Sequence, residues 1–371
     1  MVTLLRWSIL VVGLVVVGGT LLSFSRHPHW FIRGWDFPRV HIATLAAVSG
    51  GSYAAFFCDW WWYEWLFVLT LVCCVVWQGY KIFPYTQLAP VQVKRARAPA
   101  GAASFRLLIA NVLMQNHQFD RFLQVVQVAD PDLILAVEIN DRWLAELQSL
   151  ERLYPYVVRQ PQDNMYGIVL WSRLKLISPQ VRFLVQDDIP SIHTGVELRS
   201  GTRIFFYGLH PRPPEPLRDQ DATPRDAELV FVGREISKYE RPTLVAGDLN
   251  DVAWSHTTNL FLRLSHLVDP RLGRGFYNTF NANTPWFRYP LDHVFHSNCF
   301  TLIDLRRLEH IGSDHFPMCI TLHYEPAAAA EQPSLADKPG QEEEAQEKLD
   351  LATTDPSVRA GGDTLQERDT C

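Results

Sequence analysis

Short apolar runs in this sequence repeatedly end on a residue able to do chemistry. Asn111 closes "LLIAN", Glu138 closes "LILAVE", His210 closes "FFYGLH", and Asp248 and Asn250 close "LVAGDLN". Asp292 stands in "YPLDHVF", and Asp314 and His315 open the last run, "SDHFPMCITLHY". A single Asn or Asp at such a place is ordinarily a turn former or a helix cap. Their recurrence is the pattern of strands delivering side chains to one rim of a sheet, where α/β enzymes place their sites.

The residue types fit one task. Glu138 and Asp314 are hard oxygen donors suited to Mg²⁺, with Mn²⁺ as a substitute. Asp248 and Asn250, two apart, face one side of an extended segment and can hold and activate one water. His210 and His315 can meet charge on a phosphate, and Asp292 can fix the tautomer of His315. Ser313, Asp314 and His315 in a row are no nucleophile triad, since neighbours on a strand point to opposite faces. The sequence has no serine-hydrolase elbow, Walker loop or HExxH helix, which leaves metal-assisted attack of water on a phosphoester.

These positions need strands and helices to carry them. "FRLLIANV", "PDLILAVEI", "GIVLWSR", "HTGVELRS", "RIFFYGLH", "RPTLVAGDLN" and "LDHVFHS" read as strands. "FDRFLQVVQVAD" and "DRWLAELQSLERL" have helical i, i+3, i+4 spacing, and "PRDAELVFVGREISKYE" opens with Pro in a first helical turn. Strands alternate with helices but also follow one another directly. That predicts an α/β fold with some antiparallel pairing. Tyr166 reads as a packing residue. Trp286 and Phe287 either line the pocket or belong to the core, and Arg212 either meets phosphate or lies in a solvated loop.

In order along the chain, "IAN", "LILAVEI", "GIVLWSR", "GLHP", "VAGDLND", "PLDHVFHS" and "GSDHFP" resemble the endonuclease/exonuclease/phosphatase superfamily, which has the deoxyribonuclease I-like fold. The membrane-anchored arrangement looks like its YafD-like bacterial branch. The resemblance implies a four-layer sandwich of two β-sheets flanked by helices. It implies that Glu138 binds the metal, with Asn111 and Asp314 near it. It makes Asp248 the residue that orients or deprotonates the water, with Asn250 holding phosphate or water. Asp292 and His315 become a supporting dyad, and His210 matches the first histidine of the deoxyribonuclease I and sphingomyelinase type. The apurinic repair nucleases carry a tyrosine there, so the sequence departs from them.

The N-terminal third is different in kind. Ser8 to Phe24 is an uncharged apolar run of membrane-spanning length, Val40 to Phe57 is a weaker one, and Trp65 to Tyr80 is edged with aromatics. A signal peptide is the alternative for the first run, but no small-residue cleavage site comes after it. The expected plan is a membrane anchor of about three transmembrane helices over 1–82 and a basic linker over 83–104. A catalytic domain over 105–325 and a disordered acidic tail over 326–371 complete it. Arg26, Arg33 and Arg39 in the first loop and Lys81, Lys94, Arg95 and Arg97 in the linker would lie on one side, which the positive-inside rule makes the cytoplasm of a multi-pass protein of the cell (inner) membrane.

Net charge is −6, and the segment from Glu331 to Cys371 carries −7 of it, so the remainder is +1. No basic field for nucleic acid results. A nucleic acid and a phospholipid or inositol phosphate stand level as substrates, beside the bilayer itself as a partner. The six cysteines form no CxxC pair, which argues against a zinc ribbon and fits a reducing compartment. The rival from another class is an inactive membrane-tethered scaffold, against which the full set of metal, water and phosphate residues speaks.

Overall fold

The computed structural model describes residues 2–59, 61–97, 99–214, 221–355 and 358. They fall into two compact units, Met1–Pro90 with Pro214–Ala222, and Val91–Pro213 with Thr223–Cys371.

The first unit is helical: α1 (Val2–Leu22), the single turn α2 (Trp30–Gly34), α3 (Arg39–Phe56) and α4 (Trp62–Ile82). Val16, Ile42, Ala46, Leu71 and Cys74 form its core, whereas Leu4, Trp7, Leu14, Leu66, Leu69 and Val76 point outward and are exposed. Polar groups do the opposite. Arg6 donates to Glu64 Oε1 at 2.8 Å and to Tyr53 at 3.1 Å, and Glu64 is buried. Arg39 donates to Gln78 at 2.9 Å and also holds Asp36; Gln78 donates to Thr20 at 3.1 Å. These two clusters tie opposite ends of α1 to α3 and α4, so α3 runs back between two helices of one direction. An apolar exterior with polar clusters buried beside the core departs from the pattern of a bundle in water. Two helices among the described residues, Val2–Leu22 and Trp62–Tyr85, are long and apolar enough to cross a membrane. The weaker middle candidate is α3, a helix that falls short because Arg39 and His41 lie in its first turn and Ser49-Gly50-Gly51-Ser52 dilutes the rest.

The second unit holds two sheets. Its strands are β1 (Ser104–Asn111), β2 (Leu133–Val137), β3 (Tyr156–Gln160), β4 (Ile168–Ser172), β5 (Lys175–Phe183) and β6 (Pro190–Glu197). They continue with β7 (Arg203–Leu209), β8 (Thr243–Asp248), β9 (Asp292–His296), β10 (Phe300–Arg307) and β11 (Met318–Tyr324). The sheet orders are β10-β11-β1-β2-β4-β3 and β5-β6-β7-β8-β9. Only β1–β2 and β7–β8 pair in parallel among these strands. Phe105, Leu107, Ile109, Leu133, Leu135, Phe206, Leu244 and Ala246 share the core between the sheets. Residues of opposite parity, such as Leu108 and Ile134, pack outward against α5 (Phe119–Ala129) and α6 (Asp141–Glu146). Tyr207 and Val245 pack outward against α7 (Thr223–Ser237) and α8 (His256–Ser265). This is a four-layer helix–sheet–sheet–helix sandwich, and the period-2 alternation of each strand builds it.

Within the expected linker, Val93 is buried in the inter-sheet core, and Lys94 and Ala96 exchange backbone hydrogen bonds of 2.9 Å with Leu302. The expectation of a disordered tail is corrected in part, because Gln341–Thr354 forms a helix, α9, against α7. It buries Ala345 and Ala352, whose small side chains let two helices approach closely. Pro326–Glu331 forms a 3-10 helix, and residues 356, 357 and 359–371 of the expected disordered tail lie outside the described residues.

Candidate active site

Parity also builds the site. Asn111, Asp248 and Asp292 continue the inward-facing rows of β1, β8 and β9 beyond the last apolar core residue, and His210 does the same one residue past β7. They therefore meet at one rim between the sheets. Gly247 precedes Asp248 with φ 143°, and a Cβ there would stand 1.9 Å from the Leu209 carbonyl oxygen on the parallel neighbour, so only glycine fits. Glu138 comes directly after β2 with φ 62°, and Asn250 lies just past β8 with φ 52°. Left-handed non-glycine residues of this kind cluster at functional sites.

Asp248 is the hub. Its Oδ2 lies 3.5 Å from His315 Nε2 and 3.9 Å from His210 Nε2, and it accepts from Asn111 Nδ2 at 3.1 Å. Its Oδ1 accepts the Asn250 backbone N–H at 3.0 Å. His315 Nδ1 donates to Asp292 Oδ2 at 2.7 Å. Ser313 Oγ donates to the Asn111 carbonyl at 2.8 Å and accepts the His315 backbone N–H at 3.0 Å, which locks the turn that presents His315. Burial works against charge on His315, but Asp292 and Asp248 outweigh it and hold the imidazole protonated well above its ordinary range. Burial is the main cause that raises Asp248. Burial, then the charge of His315, pushes His210 down to about 3, so it stays a neutral ring.

Glu138 accepts from Asn111 Nδ2 at 2.7 Å and from the Met114 backbone N–H at 3.2 Å. Burial raises its pKa; the Asn111 and Met114 hydrogen bonds and the charge of His315 oppose the rise, and Asp314 adds to it. Among the described residues no Lys or Arg forms an ion pair with this buried carboxylate, and such a group calls for a cation. Its hard oxygens with those of Asp314 suit a divalent ion. Asp248, Asp292 and His315 also offer ligand atoms within 4.8 Å of one another. There, however, Nδ1 of His315 is committed to Asp292, and a protonated imidazole is no ligand.

The structure thus brings all eight sequence-predicted residues to one rim, with changed detail. Asn111 turns its amide toward Glu138 and Asp248 while its oxygen accepts from Leu113 N–H at 3.0 Å, so it orients the carboxylates instead of offering them an oxygen. The segment after Asp248 is a turn, not extended, and Asn250 Nδ2 donates to the Pro211 carbonyl at 3.0 Å. Trp286 and Phe287 are no core residues, being 79% and 54% exposed. Arg212 pairs with Asp188 and lies over the Tyr166 ring, whose other ring neighbour is His210 at 5.5 Å between centroids. Residues missed in the sequence are Phe280, whose ring lies 5.0 Å from that of His315, and Asn116, which donates to the Val112 and Ile311 carbonyls at 3.1 and 3.0 Å. Neither carries a local signal; only "GSDH" hinted at Ser313.

A profile of the Endonuclease/Exonuclease/phosphatase family matches residues 108–315, more than half of the chain. No curated protein matches it. Among solved structures, a humanized D. rerio TDP2 carrying 14 mutations superposes with TM-score 0.51 at 16% identity, over 60% of this chain and 99% of that one. D. rerio TDP2 in complex with a single-strand DNA product gives TM-score 0.50 at 16% identity over the same shares, 60% and 99%. The human Nocturnin catalytic domain with a bound sulfate anion gives TM-score 0.50 at 15% identity, over 65% and 99%. At such identities the likeness is one of fold.

Proposed function

Because this chain belongs to the endonuclease/exonuclease/phosphatase family, we propose that it is a membrane-anchored, divalent-metal-dependent phosphoesterase that hydrolyses a phosphodiester by attack of water. The observation that carries the reading is Asp248 set between His210 and the His315–Asp292 pair, with Glu138 tied to the same hub through Asn111. Asp248 accepts the proton of the attacking water, since it is the one buried carboxylate there whose second oxygen faces two rings. His315, held charged by Asp292, donates to a phosphate oxygen where negative charge grows. Neutral His210 can donate one further hydrogen bond. Glu138 and Asp314 would hold Mg²⁺ or Mn²⁺, which supplies charge neutralisation to the phosphate when bound.

Two features bear on the substrate. The exposed pair Trp286–Phe287 sits on the loop beyond Phe280, whose ring lies tilted beside that of His315. A planar or apolar portion beside the phosphate would be met there, which suits the bases of a nucleic acid or the body of a phospholipid. The apolar exterior of α1 and α4 supports an anchor in the cell (inner) membrane, close to lipid substrates. The test is hydrolysis by the full-length protein in detergent with Mg²⁺, against DNA, RNA, sphingomyelin and inositol phosphates. Turnover of one class assigns the substrate; absence of turnover on all of them overturns the reading.

A further inference from the structure

The tail helix α9 lies beyond the segment that matches the family, yet it reaches into the unit's interior. Lys348 is buried, and its Nζ donates to Asp226 Oδ2 at 2.7 Å. Asp226 also accepts from Thr257 Oγ1 at 2.8 Å, and its Oδ1 accepts from Arg225 Nε at 3.1 Å and Nη2 at 2.8 Å. Arg225, buried as well, turns Nη1 to the carbonyl of Asn250 at 2.8 Å and stands 3.6 Å from Asp251. Asn250 is the residue with φ 52° whose N–H holds Asp248 Oδ1. A chain of charged hydrogen bonds therefore runs from the tail to the turn that sets the hub carboxylate. On the surface, Glu344 of α9 meets His256 at the start of α8, and Arg234 meets Glu342 at 3.2 Å.

We propose that α9 is an activating strap in cis and that Lys348 and Arg225 are positioning residues for Asp248. This rests on the phosphoesterase reading above. The physical reason is competition for one carboxylate. Asp226 is shared by two cations, and Lys348 neutralises the oxygen that Arg225 does not use. Without Lys348 the charge of Asp226 is less compensated and draws Arg225 more strongly, away from the Asn250 carbonyl. A left-handed non-glycine turn that loses its tether relaxes toward ordinary backbone angles. The Asp248 carboxylate moves with it, and small displacements of a reacting group are costly in rate. The catalytic unit then extends to Thr354, past the boundary at 325.

The experiment uses the full-length protein in detergent and reads two things, amide hydrogen exchange and kinetics. Lys348→Met should speed exchange of the peptide carrying Asp248 to Ser255 about tenfold while β1 stays protected. It should lower kcat about tenfold with KM unchanged, because positioning acts on the transition state. Lys348→Arg should restore both, and Arg234→Ala, which removes only the exposed contacts to Glu342 and Gln346 of α9, should change neither. If Lys348→Met exposes β1 as well, Arg225→Lys carries the test, since it keeps the charge on Asp226 but cannot also reach the Asn250 carbonyl. Unchanged loop exchange in these variants overturns the proposal. Should the wild type hydrolyse none of the substrates, the phosphoesterase reading fails by itself, and the exchange result alone decides whether the strap holds the loop.

Discussion

Asp248 can take only one proton, and its neighbours decide from where. His315 is held charged by Asp292 and His210 is kept neutral by burial, so neither ring competes as a base at neutral pH. Asp248→Asn keeps shape and removes the acceptor; turnover on the best substrate should fall by about 10²–10⁴-fold with circular dichroism unchanged. A folded variant with full turnover would falsify the mechanism. His315→Ala should cost a similar amount and Asp292→Asn less, because Asp292 acts through the 2.7 Å bond to Nδ1. The double variant should be clearly less than multiplicative, as expected of groups that act as one unit; strictly multiplicative losses would separate the two residues. The buried Glu138, which has no Lys or Arg in an ion pair with it among the described residues, predicts the metal response. Chelation by EDTA should abolish activity, Mg²⁺ or Mn²⁺ should restore it, and Zn²⁺ should do little. Full activity in chelator rejects Glu138 and Asp314 as ligands.

At the scale of elements, α7 is unusual in burying Arg225, Asp226 and Glu228 together. Glu228 Oε1 has no hydrogen-bond partner among the described residues, and burial pushes its pKa up to about 8. The unfolded chain ionises this group near the usual carboxylate value of about 4.3. The folded pKa is therefore the higher one. The stability it contributes is complete below about pH 4.3 and is lost as pH rises toward the folded value. Glu228→Gln, which cannot ionise, should melt above the wild type at pH 9 and lose that advantage at pH 4; an equal offset at both would mean that Glu228 is not buried uncharged. The strands that hold the site were legible because their parity is plain: Leu107 and Ile109 lead to Asn111, and Leu244 and Ala246 lead to Asp248. The backbone path beyond each strand end was not legible, since whether Asn250 extends or turns depends on Arg225 and Pro211, distant in sequence. Helix α9 was illegible for a related reason. Its docking face is Ala345, Lys348, Leu349 and Ala352, and a charged residue buried against Asp226 has no apolar signature.

At the scale of the whole molecule, the remaining question is which side of a membrane the catalytic unit occupies. Helices α1 and α4 each have the length and apolarity to cross, and α3 returns between them although its own run is diluted. The two buried clusters fix that antiparallel order. Arg6 at the start of α1 meets Glu64 at the start of α4 and Tyr53 near the end of α3, while Thr20, Arg39 and Gln78 meet at the other end. If all three helices cross, the loop that carries Arg26, Arg33 and Arg39 lies on the same side as the segment after Lys81, and the N-terminus and the turn with Asp59 lie opposite. Basic residues in short loops set orientation toward the cytoplasm. Asp36 takes up part of the charge of Arg33 and Arg39, and Glu331 pairs with Arg97, but Lys94 and Arg95 add to the basic count on that side. The catalytic unit should therefore face the cytoplasm. Protease added to intact cells should leave it whole and cut it only after the membrane is opened, as read by an antibody against its C-terminal end. Digestion from outside would place it on the far side, and with it the pool of phosphodiesters that it can reach.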